Sequence, residues 1–188
     1  KRGFGISAEM HRTDNMTFKS DRDRDGKAYL INYIPTLSKP HAYTLLALYP
    51  CATQADGELG IQLDVFFKIK KGTLLGGRYG TKMALNYSRI NGLEGGSSFL
   101  NDNKQHTPTL ISFEETLHYR DLNLSINKKI SKKITTDFVF ANQTYNKDIL
   151  EGKPTGDYGI INSTILVADL NYKIKTGHTL RLELQTLL

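Results

Sequence analysis

Cysteine occurs once in the 188 residues, as Cys51, so no intrachain disulfide and no CxxC metal or redox site is available; its expected setting is a loop. No run approaches the roughly 18 consecutive apolar residues that a spanning helix needs, which excludes a helical membrane protein. The five histidines, His11, His41, His106, His118 and His178, make no HxH, HxxH or HExxH spacing, and no zinc site is indicated. No GxSxG or comparable cluster is present, and Ser7 and His11 share a strand face only through their spacing, so no enzymatic activity and no cofactor are expected. Gly76-Gly77 and Gly95-Gly96 lack the flanking residues of a phosphate loop and suit turns. The formal charge of +6 comes from Lys and Arg spread through turns and interleaved with Asp and Glu, so nucleic acid is not an expected partner. The chain opens on Lys1-Arg2-Gly3-Phe4 without an initiator Met or an apolar leader, and a signal peptide is expected to be removed or to lie outside it.

What the sequence has is alternation. From Glu58 to Lys70, the residues Leu59, Ile61, Leu63, Val65, Phe67 and Ile69 are apolar, whereas Gln62, Asp64 and Lys68 occupy the other parity, with Phe66 the single exception. A side-chain period of 2 is that of a strand. The pattern recurs at Met83, Leu85 and Tyr87, at Leu122, Leu124 and Ile126, at Ile134, Phe138 and Phe140, and at Leu180, Leu182 and Leu184. Strands of about 10 to 13 residues exceed the usual 5 to 6 of soluble sheets and are long enough to cross a bilayer. A hydrophobic content of 39% and a mean hydropathy of -0.39 do not oppose this, because only every second residue of a spanning strand meets lipid.

The strand map predicts connections that alternate in length. A first strand near Gly3 to Lys19 leads into a charged loop, Ser20 to Gly26; strands at Lys27 to Pro35 and Ala42 to Pro50 flank a short turn, Thr36 to His41; a polar connection, Cys51 to Gly57, follows. Then come Glu58 to Lys70, a glycine-bearing turn, Tyr79 to Ile90, and the longest loop, Asn91 to Thr109. Strands near Leu110 to Lys128 and up to Tyr145 flank a tight turn, and a polar loop at Asn146 to Gly159 precedes Ile160 to Ile174 and the last hairpin, to Leu188. Short and long connections taking turns along about nine strands predict an all-β, antiparallel up-and-down transmembrane β-barrel. Tyr79, Tyr172, Phe67 and Tyr33 near the short turns, and Tyr49, Tyr87, Tyr119 and Tyr145 near the long loops, fit two interfacial belts. A soluble antiparallel sandwich acting as a binding module alternates in the same way, and strand length, turn alternation and a charged inner face favour lipid over it. An odd strand count leaves an open edge and puts the ends on opposite rims, so residues 1–188 are expected to be one segment of a larger barrel, incomplete at both ends.

The hairpin from Gly60-Ile61-Gln62-Leu63-Asp64-Val65-Phe66-Phe67-Lys68 through Lys71-Gly72-Thr73-Leu74-Leu75-Gly76-Gly77-Arg78-Tyr79-Gly80-Thr81-Lys82 resembles an uncharacterised family of Bacteroidota outer-membrane barrels. Arg12-Thr13-Asp14-Asn15-Met16 and Leu180-Arg181-Leu182-Glu183-Leu184-Gln185 are similar to other stretches of that family. The resemblance implies a bacterial outer-membrane location and complete proteins considerably longer than this chain, and it assigns no catalytic residue.

The residues expected to face the lumen are Gln62, Asp64, Lys68, Lys82, Asn86, Asn123, Ser125, Thr135, Asp137, Asp169, Asn171, Arg181 and Glu183. Mixed signs on such a wall create a transverse field, as in a porin-like diffusion channel for small polar solutes. The alternative is a wall whose groups pair across a plugged lumen, giving a non-conducting scaffold or binding barrel in an outer-membrane assembly. Outer-membrane lipid and lipopolysaccharide are the expected partners, with other outer-membrane proteins as a further class. Asp21, Asp23, Asp25 and Gly26 spell DxDxDG, the front half of a calcium loop, but position twelve is Asn32 and Arg22 and Arg24 offset the carboxylates; a solvated loop, or one ion-paired to lipopolysaccharide, is the competing reading.

Overall fold

A computed structural model of the chain describes residues 3–21, 23, 29–55, 57–93, 115–151 and 159–188. Within them the alternating segments become strands β1 (Phe4–Asp14), β2 (Gly57–Ile69), β3 (Thr81–Asn91), β4 (Leu117–Lys129), β5 (Ile134–Asn146), β6 (Ile160–Lys175) and β7 (His178–Leu187). They form one antiparallel sheet in the order β1 to β7, an up-and-down meander in which β1 and β7 are edge strands and do not close on each other. A short helix, α1 (Lys147–Leu150), follows β5, with the Asn146 side chain capping it by accepting from the Ile149 amide. Nothing in the alternation pattern announces it.

Seven strands are found where about nine were expected. Described residues of the two segments at 27–35 and 42–50 are not strands, and their one ladder contact is the isolated bridge between Lys19 and Leu30. Pro35, Pro40 and Pro50 lack the amide a ladder needs, and Tyr29 sits at φ 60, outside the extended region. Residues 29–55 instead lie across one face of the sheet, held by its side chains. The Leu45 amide donates to Gln185 Oε1 (2.9 Å), Gln143 Nε2 donates to the Leu46 carbonyl (3.2 Å), the Gln54 amide donates to Glu58 Oε2 (2.7 Å), and Thr13 Oγ1 donates to the Gln54 carbonyl (3.0 Å). The strands are joined by 15–56, 92–116 and 147–159 at one rim and by 70–80, 130–133 and 176–177 at the other, with 70–80 nearly as long as 147–159.

Each short turn has its own chemistry. In 70–80, Thr73 Oγ1 donates to the Lys70 carbonyl and accepts from the Gly76 amide; a Cβ at Gly76 would stand 1.9 Å from that carbonyl oxygen, so only glycine fits. In 130–133, Ser131 Oγ accepts from the Lys133 and Ile134 amides.

Register sorts the side chains sharply. Val65, Leu85, Leu124, Phe140, Leu166 and Thr186 lie in one row across one face. Asp64, Asn86, Asn123, Ala141 and Ile165 lie in one row across the other. The core is on the second, polar face, under residues 29–55. Leu46 is buried against Val139, Ala141, Ile165 and Val167, and Cys51 against Ile90, Tyr119, Tyr145 and Leu150. Among the described residues the apolar face has no such cover: Phe138, Leu166 and Leu182 are 49%, 44% and 56% exposed, whereas Ile165 and Val167, one residue away from Leu166, are 1% and 3% exposed.

Towards the long connections the apolar face turns polar. Arg120 Nη2 donates to Asn142 Oδ1 and Thr144 Oγ1, Asn142 Nδ2 to Thr164 Oγ1, and Thr144 Oγ1 to Asn162 Oδ1, forming a hydrogen-bonded ladder across β4, β5 and β6. The long-loop tyrosine belt is not formed as expected. Tyr119 and Tyr145 point to the polar face, and Tyr49, on the overlying segment, stacks 5.3 Å from Tyr145; only Tyr87 of that set is on the apolar face. Parity decides this, since Tyr119 and Tyr145 are cross-strand partners in the register of Asp121 and Gln143. At the other end, Tyr79 lies beneath the cations of Arg78 and Lys129, and Phe4 meets Phe67 edge-on. Tyr33 also lies on the overlying segment, where its hydroxyl donates to the Met16 carbonyl.

Candidate functional site: a sign-sorted row on the polar face

All thirteen residues expected to share an inner wall fall on the polar face of the sheet. Their placement is more ordered than alternation alone requires. Successive cross-strand partners are Lys68, Lys82, Asn127, Asp137, Asp169 and Glu183, on β2 through β7. Two cations, a neutral amide and three carboxylates thus form a single row. Like charges directly opposite one another destabilise a sheet, and three such pairs occur here: Lys68 with Lys82, Asp137 with Asp169, and Asp169 with Glu183.

The acidic end is compensated. Arg181 donates to Asp169 through Nε (2.8 Å) and Nη2 (2.7 Å) and reaches Glu183 Oε2 at 2.6 Å. Asn171 Nδ2 and the Tyr43 hydroxyl also donate to Asp169, Asn127 Nδ2 donates to Asp137 Oδ1 (2.6 Å), and Gln185 Nε2 donates to Glu183. Desolvation, with Asp169 and Asp137 nearby, raises the Tyr43 hydroxyl above its ordinary value, which keeps it a donor. The basic end has no such partners. Lys68 and Lys82 form no ion pair among the described residues, and Lys39 of the overlying segment donates only to the neutral Asn123 Oδ1 (3.1 Å).

Nearer the long connections the polar face is neutral or paired and closed over. Gln62 Nε2 and Asn86 Nδ2 donate to the two oxygens of Asp64, and Ser88 Oγ donates to Asn86. On the short-turn half, Ser125 Oγ donates to the Ala84 carbonyl, and Thr135 lies opposite Asn171. His41 of the overlying segment pairs with fully buried Asp121, and His11 pairs with fully buried Glu58 at 2.8 Å. His41, Lys39, Tyr43 and Asp121 are the site residues that sequence reasoning missed. Asp121 was legible as a polar-face residue, but nothing local in the sequence points from position 41 to position 121.

Between the overlying segment and the short-turn half of the sheet lies a cavity of about 660 Å³, with Lys39, Lys68, Lys82 and Asp137 on its walls beside Phe66 and Leu46. Of the acidic loop, Asp25 lies outside the described residues; the Asp23 amide donates to Asp21 Oδ1 (3.1 Å), a turn contact, and no group of three acidic, His or Cys side chains able to hold a metal converges among the described residues.

A model described as a family of unknown function, DUF6029, matches residues 1–188. No curated protein and no solved structure matches the chain.

Proposed function

We propose that this chain, which belongs to the DUF6029 family, forms wall strands of a bacterial outer-membrane β-barrel and passes small polar solutes through a lumen narrowed by its own residues 29–55. The observation that carries this reading is inverted sidedness: the long-connection half of the polar face is covered and packed by the overlying segment, whereas nothing among the described residues covers the apolar face. A contiguous apolar face with large side chains on six or more strands exceeds the roughly 300–600 Å² of the largest patch on a typical soluble monomer. Lipid is the solvent that suits it. On β2 the outward run Ile61 to Ile69 covers about 27 Å along the strand, or about 19 Å of depth at a 45° tilt, near the height of an outer-membrane apolar band. The bare edges of β1 and β7 require partner strands in hydrocarbon, from further chain or from another copy.

In a planar bilayer the reconstituted protein should give conductance steps whose ion preference shifts when Lys82 or Asp137 is neutralised. A polypeptide that stays monodisperse in buffer without detergent, its apolar face covered by a second protein layer, overturns the membrane reading. The density of side-chain pairing around Asp169 favours a second reading, a plugged barrel that serves as a scaffold or binding protein. Its signature is a membrane-inserted protein that remains electrically silent across salts.

A further inference from the structure

The charge row is lopsided in its compensation, and that asymmetry selects a ligand. Asp169 takes four donated contacts and Asp137 a short bond from Asn127, so the carboxylate end has its own partners. Lys68 and Lys82 oppose each other directly, and neither has a counter-ion among the described residues. Lys39 approaches the same cavity from the overlying segment, its only hydrogen bond among the described residues being to a neutral amide. Three ammonium groups with one amide-bonded carboxylate, Asp137, leave a positive potential in a partly enclosed space, where low-dielectric walls strengthen it. Such a space lacks an anion.

The rest of the lining sets the anion's character. Phe66, Leu46, Val139 and Pro40 give the cavity apolar walls, and no arginine fork is among its lining residues. Ammonium groups act as point charges and do not select a planar or tetrahedral fork. A volume of about 660 Å³ lies within the usual range for small-molecule sites. We infer that the cavity bounded by Lys39, Lys68 and Lys82 binds small organic anions that carry an apolar body, the anionic head meeting the three ammonium groups and the apolar body resting on Phe66 and Pro40. The phenylalanine that interrupts the polar parity of β2 thereby gains a role: Phe66 stands on the polar face, 51% exposed, beside the lysine pair. The inference names the solute class of the channel proposed above and rests on that reading for its route of entry, though not for its binding chemistry.

The test is equilibrium dialysis of labelled benzoate against the protein in lipid nanodiscs, with benzyl alcohol and benzylammonium as the neutral and cationic counterparts. Saturable benzoate binding is expected, with the other two at the level of empty discs. The double variant K68Q/K82Q should bind about tenfold more weakly, the loss expected for charge-assisted contacts. K68R/K82R, which keeps both charges, should retain most of the binding. K68Q/K82Q removes a like-charge contact and so should fold at least as well as the parent. Absent benzoate binding, equal binding by K68Q/K82Q, or equal uptake of benzyl alcohol overturns the inference. A silent bilayer accompanied by charge-dependent benzoate binding removes the channel and leaves the site; conductance with charge-independent binding removes the site and leaves the channel.

Discussion

An arginine scan along the outward face of β6 separates lipid from water as the solvent of the apolar face. The positions are Thr164, Leu166, Ala168, Leu170 and Tyr172, in order from the long-connection rim. Neighbouring outward residues stand about 6.7 Å apart along a strand, or about 5 Å in depth at 45°, so the series samples about 19 Å. Thr164 belongs to the polar ladder with Asn142, whereas Ala168 and Leu170 pair with Leu184 and Leu182 well inside the apolar band. Arginine facing lipid costs about 2–4 kcal/mol at the midplane and about 0–1 kcal/mol near an interface. On a soluble sheet, Leu166 and Leu170, at 44% and 38% exposure, are surface residues whose replacement stays within about 0.5 kcal/mol. The two cases differ by about thirtyfold to a thousandfold in the folding equilibrium at positions 168 and 170. Urea titration of the protein refolded into lipid vesicles, followed by protection from protease, measures the difference. The cost should rise from near zero at Thr164 to a maximum at Ala168 and Leu170, then fall towards Tyr172. A flat profile within about 0.5 kcal/mol would refute the assignment of this face to hydrocarbon.

Two further outcomes follow from the overlying segment. Replacing His41 by alanine strands the fully buried Asp121 carboxylate, one oxygen of which already has no hydrogen-bond partner, and should cost about 3–5 kcal/mol in the same titration; adding Asp121→Asn should recover most of it, and a loss below about 1 kcal/mol would contradict the pairing. Burial pushes the Cys51 thiol up to about 12, so alkylation of the folded protein at pH 8 should run about a thousandfold slower than for an exposed thiol and keep rising with pH beyond 9, where a free thiol levels off; labelling at the free-thiol rate means that residues 29–55 leave the sheet.

The sheet was legible because alternation is a local signal. Leu59 to Ile69 and Leu180 to Leu184 state their own parity, and the boundaries of β2, β3, β6 and β7 lie within two residues of those read from the pattern. Membership of the polar face was legible for the same reason, for all thirteen residues read as sharing one side. Residues 27–50 misled because Tyr29, Ile31 and Tyr33 also alternate, yet Pro35, Pro40 and Pro50 deny the segment a ladder on either side. The sorting of charge by sign could not be read from parity. Whether Lys82 faces Lys68 or Asp64 is a question of register, which the turn at 70–80 and the packing of neighbouring strands decide together. The long-loop belt fails on the same point, since distance from the loops says nothing of the parity that turns Tyr119 and Tyr145 to the polar face.

The division of the polar face has a physical reason. Where residues 45–55 seal the sheet, the buried groups are amides, hydroxyls and the paired couples His41 with Asp121 and His11 with Glu58, because an unpaired charge there would meet the full cost of desolvation. Lys68, Lys82 and Glu183 are exposed and lie towards the short turns, where water can screen like-charge neighbours. Asp169 is the exception that tests the rule: it is buried at the margin of the open half, and it is also the carboxylate with the most donors, two of its contacts coming from one arginine. The lysine pair needs no such compensation for the fold to stand, because it borders the open cavity and keeps its water; that same access is what the anion proposed above would use.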